Sequence, residues 1–470
     1  MMNASLYAML AQGFPADGSK PAFILDDGPD ISYAAFTSAI ARTAARLVAE
    51  GTVPGDRVLV LANKAPETVI LYLATLYAGS VFVPVNPAYT QAETDYFIDN
   101  AEPRLIIADA AAYVAGAASM APLAEPVART ADDLAAIIYT SGTTGRSKGA
   151  MLSHGNLAQN ARALHALWGF GPDDVLIHAL PIFHVHGLFV ALHCALLSGC
   201  SMIWQEKFDD ARVLAALPRA TVLMGVPTFY TRLLANSAFG RDQTAGMRLF
   251  VCGSAPLLES TFAGFEARTG QRILERYGMS EAVIITSNPL DGDRIAGSVG
   301  YPLPGVDLRI AGGEETGVIQ IRGPSVFSGY WRMPEKTAEE FTADGWFITG
   351  DVGRQDADGR VWISGRAKDL IITGGYNVYP KEVELVLDEL PGVTESAVIG
   401  VPHPDFGEGV VAVIQGDAAE AEVIAAARAQ LAAYKAPKHV ITLPDLPRNA
   451  MGKVMKNVLR DRFAALFTAV

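Results

Sequence analysis

The stretch "YTSGTTGRSKGAMLSH", residues 139–154, decides how this chain is read. It follows an apolar run, "LAAIIY" (134–139), and precedes a segment of helical spacing. Gly142, Gly145 and Gly149 let backbone N–H groups approach an anion closely. The hydroxyls of Thr140, Ser141, Thr143 and Thr144 can donate to phosphate oxygens, and Lys148 adds a point charge. A Walker loop orders these parts as GxxxxGK followed by Ser or Thr. Here the order is G-T-T-G-R-S-K-G, with Lys148 three residues after Gly145 and followed by Gly149. The loop is therefore read as a phosphate loop of a different kind. The plain alternative is a solvated Gly/Ser turn between a strand and a helix.

Around this loop the chain alternates strand and helix patterns. "RVLVL", "VFVPV", "RLIIA", "AAIIY", "VLIHAL", "TVLMG" and "MRLFVC" are short apolar runs, most of them separated by loops or helical stretches. Such alternation predicts an α/β fold with parallel-rich sheets flanked by helices. Active sites of such sheets lie in loops at the carboxyl ends of strands, where residues 140–148 fall. From about Ala296 the pattern changes to short strands between Gly/Pro turns, a small β-rich unit. It changes again near Arg366–Lys368, and the last hundred or so residues predict a small α+β domain, in which 420–437 reads as one Ala-rich helix.

Composition bounds the function. The chain has 470 residues, half of them hydrophobic, which is too much for one ordinary domain. The formal net charge of −13 disfavours nonspecific binding to nucleic acid or to an anionic membrane. An anionic ligand therefore needs a local cationic site. Cys194, Cys200 and Cys252 form no metal-like spacing and read as buried thiols of a reducing compartment. No secretory signal and no membrane-spanning run is seen, so a cytoplasmic protein is expected.

The loop also resembles the signature loop of the adenylate-forming enzymes, the acyl- and aryl-CoA synthetases, luciferases and peptide-synthetase adenylation domains. "RYGMSEA" (276–282), "GWFITGD" (345–351), "GRAKDLIITGGYNVYPKEVE" (365–384) and "PRNAMGKVMK" (447–456) resemble further elements of that family, in its order. "HALPIFHVHGLFVA", "ATVLMGVPTFYTRLL" and "LERYGM" resemble the malonyl-CoA synthetases within it.

The resemblance implies an N-terminal domain over 1–365, with the β-rich part at about 296–365. A hinge at 366–368 and a mobile C-terminal domain over 369–470 follow. It implies ATP, Mg²⁺ and coenzyme A as cofactors and co-substrates. Lys453 then bridges the substrate carboxylate and the α-phosphate, and Glu281 and Thr144 hold the metal. The nucleotide is bound by Thr140 to Gly145, Lys148, Gly253, Ser254, Ala255, Pro256, Glu275, Arg276, Tyr277, Gly278, Met279, Ser280, Asp351, Arg366 and Lys453. Asp351 accepts from both ribose hydroxyls. Lys368 is the hinge residue, and Gly374, Gly375 and Tyr376 line the CoA channel. A dicarboxylic acid needs a second counter-charge: Arg276, helped by His186, His184 and Ser254. By analogy with the family, Lys453 is also a target for a lysine acetyltransferase.

One departure bears on the acid. The family subgroup carries threonine on both sides of the glutamate; here Ser280 and Ala282 flank Glu281. The expected reaction is activation of malonate to malonyl-CoA. Methylmalonate or a short monocarboxylate is the alternative acid, and a noncatalytic adenylate-binding protein the alternative class. The sequence leaves the oligomeric state open.

Overall fold

The computed structural model describes residues 3–140, 147–313, 315–449 and 452–467. The chain divides into two compact units, one of Met1–Leu308 with Ile321–Phe347 and one of Arg309–Gln320 with Ile348–Val470. The 366–368 segment, expected as the hinge, lies inside the second unit.

The first unit holds two sheets. One runs in the order Leu105–Ile107, Arg57–Leu61, Val81–Val85, Leu134–Thr140, Lys148–Ser153, parallel except for the last pair. Ala135 to Ile138 are all buried, as expected of a strand covered on both faces. The helix Pro66–Tyr77 is buried on nearly every side, starts with proline at its first turn, and packs on the helix Tyr33–Ala49.

The second sheet has a parallel core ordered Leu274–Tyr277, Leu249–Cys252, Val222–Gly225, Val175–His178, Ser201–Trp204, Pro21–Leu25. The short strand Thr286–Ser287 pairs antiparallel with Leu274–Tyr277 and sets Arg276 opposite Ser287. One face is filled by Leu223, Phe250, Tyr230, Phe265 and Ile273. The carboxyl ends of these strands carry His178, Trp204, Gly253 and Tyr277, so the candidate residues share one edge.

In the second unit, Phe347–Gln355 and Val361–Arg366 form an antiparallel hairpin around the Asp356–Gly359 turn. A smaller sheet pairs Val393–His403 with Gly407–Gly416, flanked by Ile371–Thr373 and by the parallel strand His439–Thr442. The Ala-rich stretch predicted as one helix is shorter than its composition suggests. The helix ends at Gln430, and Leu431 is extended so that it and Tyr434 pack on the core of Val398, Val410 and Val440. Burial of these two side chains overrides the local propensity of the alanines. All three cysteines are buried and free.

Candidate active site

The phosphate loop is anchored at both ends. Thr140 and Lys148 are cross-strand partners, and Thr140 Oγ1 donates to the Lys148 carbonyl at 3.4 Å. Ser141, Gly142, Thr143, Thr144 and Gly145 lie outside the described residues. Lys148 Nζ donates to Glu340 Oε1 at 2.7 Å and stands 4.3 Å from the Tyr330 ring centre. The Tyr330 hydroxyl reaches two carboxylates, Glu281 Oε1 and Glu340 Oε2, each at 2.9 Å. A hydroxyl has one proton, so only one of these contacts is a full hydrogen bond. Burial raises the Glu340 carboxyl, but hydrogen bonds from Lys148 and Tyr330 outweigh it and hold the carboxyl below its usual range. Glu281 is thus tied to the base of the loop through two side chains, Tyr330 and Glu340, that the sequence did not single out.

At the carboxyl ends of the parallel strands, Arg276 is 4% exposed. Its Nε and Nη2 are buried without a hydrogen-bond partner among the described residues. Burial lowers its pKa to about 10, against raising contributions from Cys252, Tyr230 and Glu275. The guanidinium lies against Gly253, where a Cβ would stand 2.6 Å from Cζ and would push the guanidinium aside. The next residue, Ser254, has φ +71° and presents its Oγ 3.3 Å from His186 Nδ1. The His186 Nε2 is buried without a partner. Burial first, then the charges of Arg276, His184 and His178, hold this imidazole well below its ordinary pKa. Arg276, His186 and Ser254 are therefore brought together. His184 is half-buried, and its carbonyl accepts from Leu188 N.

Glu275 faces away from this group. Its Oε1 accepts from Leu257 N at 3.2 Å, just beyond exposed Ala255 and Pro256. Burial raises its carboxyl to about 8. Tyr277, Gly278, Met279 and Ser280 continue from the strand into a turn of intermediate exposure. Val283, two residues after Glu281, has φ +59°, an outlier for a β-branched residue. Strain of that kind gathers at functional sites.

In the second unit, Asp351 and Arg366 are opposite one another in the hairpin and form an ion pair at 2.6 Å. Lys368 follows on a single short turn, Ala367–Asp369. Gly374 (φ +58°) and Gly375 (φ +81°) form the tight turn between Ile371–Thr373 and Tyr376–Val378, as a two-residue hairpin loop demands. Tyr376 is exposed and stacks on Tyr434 with ring centres 4.6 Å apart. Lys453 lies on a small loop whose ends, Arg448 and Val454, bridge in antiparallel fashion. Asn449 clamps it, accepting from Lys453 N through Oδ1 at 3.0 Å and donating its own N–H to the Lys453 carbonyl.

The sequence matches the AMP-binding enzyme family over residues 12–331 and the AMP-binding enzyme C-terminal domain over residues 382–453. A malonate–CoA ligase of Arabidopsis thaliana is 35% identical, over 87% of this chain and 78% of that protein. A feruloyl-CoA synthase of an Amycolatopsis species is 37% identical, over 93% of this chain and 94% of that protein. The crystal structure of ATP-bound MatB from Rhodopseudomonas palustris has a TM-score of 0.94 and 51% identity, covering 99% of this chain and 100% of that one.

Proposed function

Because the chain belongs to the AMP-binding enzyme family and is a CoA ligase using ATP and CoA, we propose that the acid it activates is malonate. The observation that carries this reading is the unpartnered guanidinium of Arg276. A cation buried without a counter-charge is costly, and so is a buried donor without an acceptor. Arg276 shows both deficits, at Nε and Nη2, and the neutral His186 shows the second, at Nε2. A second carboxylate supplies the missing acceptors and the missing charge together, and the guanidinium fork suits it. An aryl acid such as ferulate offers this group only a neutral phenol. Relatives named for malonate and the likeness to MatB support the same choice. Methylmalonate is the second reading, favoured by the small Ala282 beside Glu281.

In this reading the distal carboxylate pairs with Arg276 and His186, which leaves the proximal carboxylate free to attack the α-phosphorus of ATP. Pyrophosphate leaves and an acyl-adenylate remains. CoA thiolate then attacks the acyl carbon and AMP departs. Lys148 gives up Glu340 to pair with the departing phosphates. Asp351 accepts from the ribose diol, for which an ionised carboxylate is an acceptor-only partner. Lys453 neutralises charge between carboxylate and α-phosphate as the first step proceeds. Gly374, Gly375 and Tyr376 serve the second step, in a C-terminal domain over 369–470 that turns about Lys368.

The residues present fit a magnesium ion. Among the described residues no cluster of three or more ligating side chains occurs, and a magnesium ion is commonly bound by one or two carboxylates plus phosphates. The Tyr330 hydroxyl brings the carboxylates of Glu281 and Glu340 to one point, and carboxylate oxygens are the hard ligands that such a cation takes. When bound, the ion neutralises phosphate oxygens.

Pyrophosphate release with small mono- and dicarboxylic acids and with ferulate, with and without CoA, tests the assignment. Malonate or methylmalonate should give the highest kcat/KM, and preference for acetate or ferulate would reject a dicarboxylate.

A further inference from the structure

Lys64 and His178 lie outside the site described above, yet they touch its frame. The Lys64 amine is 2.5 Å from His178 Nδ1 and 3.2 Å from the ring centre of Trp204. The His178 and Trp204 rings are 4.6 Å apart, so the amine is enclosed by two aromatic groups. On its other side His178 Nε2 is 3.0 Å from the Gly187 carbonyl oxygen. That oxygen can only accept, so Nε2 carries the proton, Nδ1 is the acceptor, and Lys64 is the donor. Burial favours the neutral imidazole that this chain of bonds requires. The Lys64 and His178 positions come from the carboxyl ends of strands in the two different sheets of the first unit.

Gly187 directly follows His186 and belongs to the π-helical turn His186–Ala191. Single turns of that kind are frequent at functional sites. The Gly187 backbone is pressed onto Pro181, where a Cβ would stand 2.1 Å from the carbonyl oxygen. The backbone at Gly187, next to His186, is thus held from two directions, by packing on Pro181 and by the bond from His178.

We propose that Lys64 and His178 are positioning residues that set the acid-binding His186 through the Gly187 carbonyl. This rests on the reading of His186 as an acid-binding residue. Lys64 selects the imidazole tautomer, and His178 holds the carbonyl of Gly187, the residue after His186. No charge or atom is transferred.

The two ends of the imidazole can be replaced separately. His178→Gln keeps an N–H donor near the Nε2 position, whereas His178→Asn keeps only a group near Nδ1. On whichever acid the wild-type enzyme prefers, His178→Asn should raise the acid KM about tenfold, roughly the worth of one hydrogen bond. His178→Gln should stay within about threefold of wild type, and Lys64→Met should fall between them. The KM for ATP and the kcat should move little in all three. Thermal melting of each variant reports folding. Equal loss in His178→Gln and His178→Asn, or a parallel rise in the KM for ATP, would overturn the proposal. If the preferred acid carries one carboxylate, the malonate reading fails, but the three variants still test the positioning role on that acid.

Discussion

Asp351 and Arg366 face each other across adjacent antiparallel strands, with Arg366 Nε 2.6 Å from Asp351 Oδ1. The carboxylate is almost fully buried, whereas the guanidinium is partly exposed. The pairing orients the Asp351 carboxylate before any ligand arrives. Asp351→Asn should therefore raise the KM for ATP about 10- to 100-fold, the range for a hydrogen bond to a charged group. The KM for the acid should change little. Initial rates with each substrate varied in turn check this.

Arg276→Leu should abolish malonate use while ATP binding survives. A site built for a polar group rejects the wrong partner by several orders of magnitude, so kcat/KM for malonate should fall at least about 1,000-fold. ATP affinity by calorimetry should stay within about threefold. An unchanged KM for malonate would remove Arg276 from the acid pocket.

Lys453→Ala should stop adenylate formation yet spare thioester formation from supplied acyl-adenylate and CoA. The two half-reactions are read by pyrophosphate release and by thioester absorbance. Loss of both would contradict a lysine that serves the first step alone.

Glu281→Gln should shift the magnesium activation curve. The substitution removes a charge and leaves Tyr330 between one carboxylate, Glu340, and a neutral amide. The magnesium concentration for half-maximal rate should rise about tenfold or more, since a hard cation depends on carboxylate charge.

Glu275 gives a pH signature in stability. Burial lifts its carboxyl from 4.5 to about 8, with the Leu257 N–H and Arg276 pulling the other way. Between these two values the folded chain keeps a proton that the unfolded chain has released. Stability therefore falls as pH rises through that window and levels off above it. Glu275→Gln removes the titration. Melting temperatures from about pH 5 to 8 should decline more steeply for the wild type than for the variant.

Much of the fold was legible because buried parallel strands are short apolar runs. "LAAIIY", "VLMG" and "LFVC" could scarcely be anything else between helical segments. The helix that ends at Gln430 was misjudged at its far end, because Leu431 and Tyr434 are drawn to a core that local propensity does not see. The candidate site divides in the same way. Arg276 stood out beside a motif, and its surroundings gave it meaning. His178 stood in a quoted motif without a role of its own, and Lys64, Tyr330 and Glu340 carried no signal. Their partners lie 114 residues away for Lys64 and 192 for the Lys148–Glu340 pair.

The sequence by itself determined the chemical inventory: a glycine and hydroxyl loop with one lysine, an arginine before Tyr277, a glutamate at 281, and a lysine at 453. Those are covalent facts, and the loop's departure from the Walker order already excluded a kinase-like site. Only the tertiary structure decided which of these groups lack partners. It left the Arg276 guanidinium without an anion, gave Lys148 to Glu340, and put one tyrosine proton between two carboxylates. Whether a buried charge is satisfied depends on what other strands bring within about 3 Å of it, and no local pattern encodes that distance.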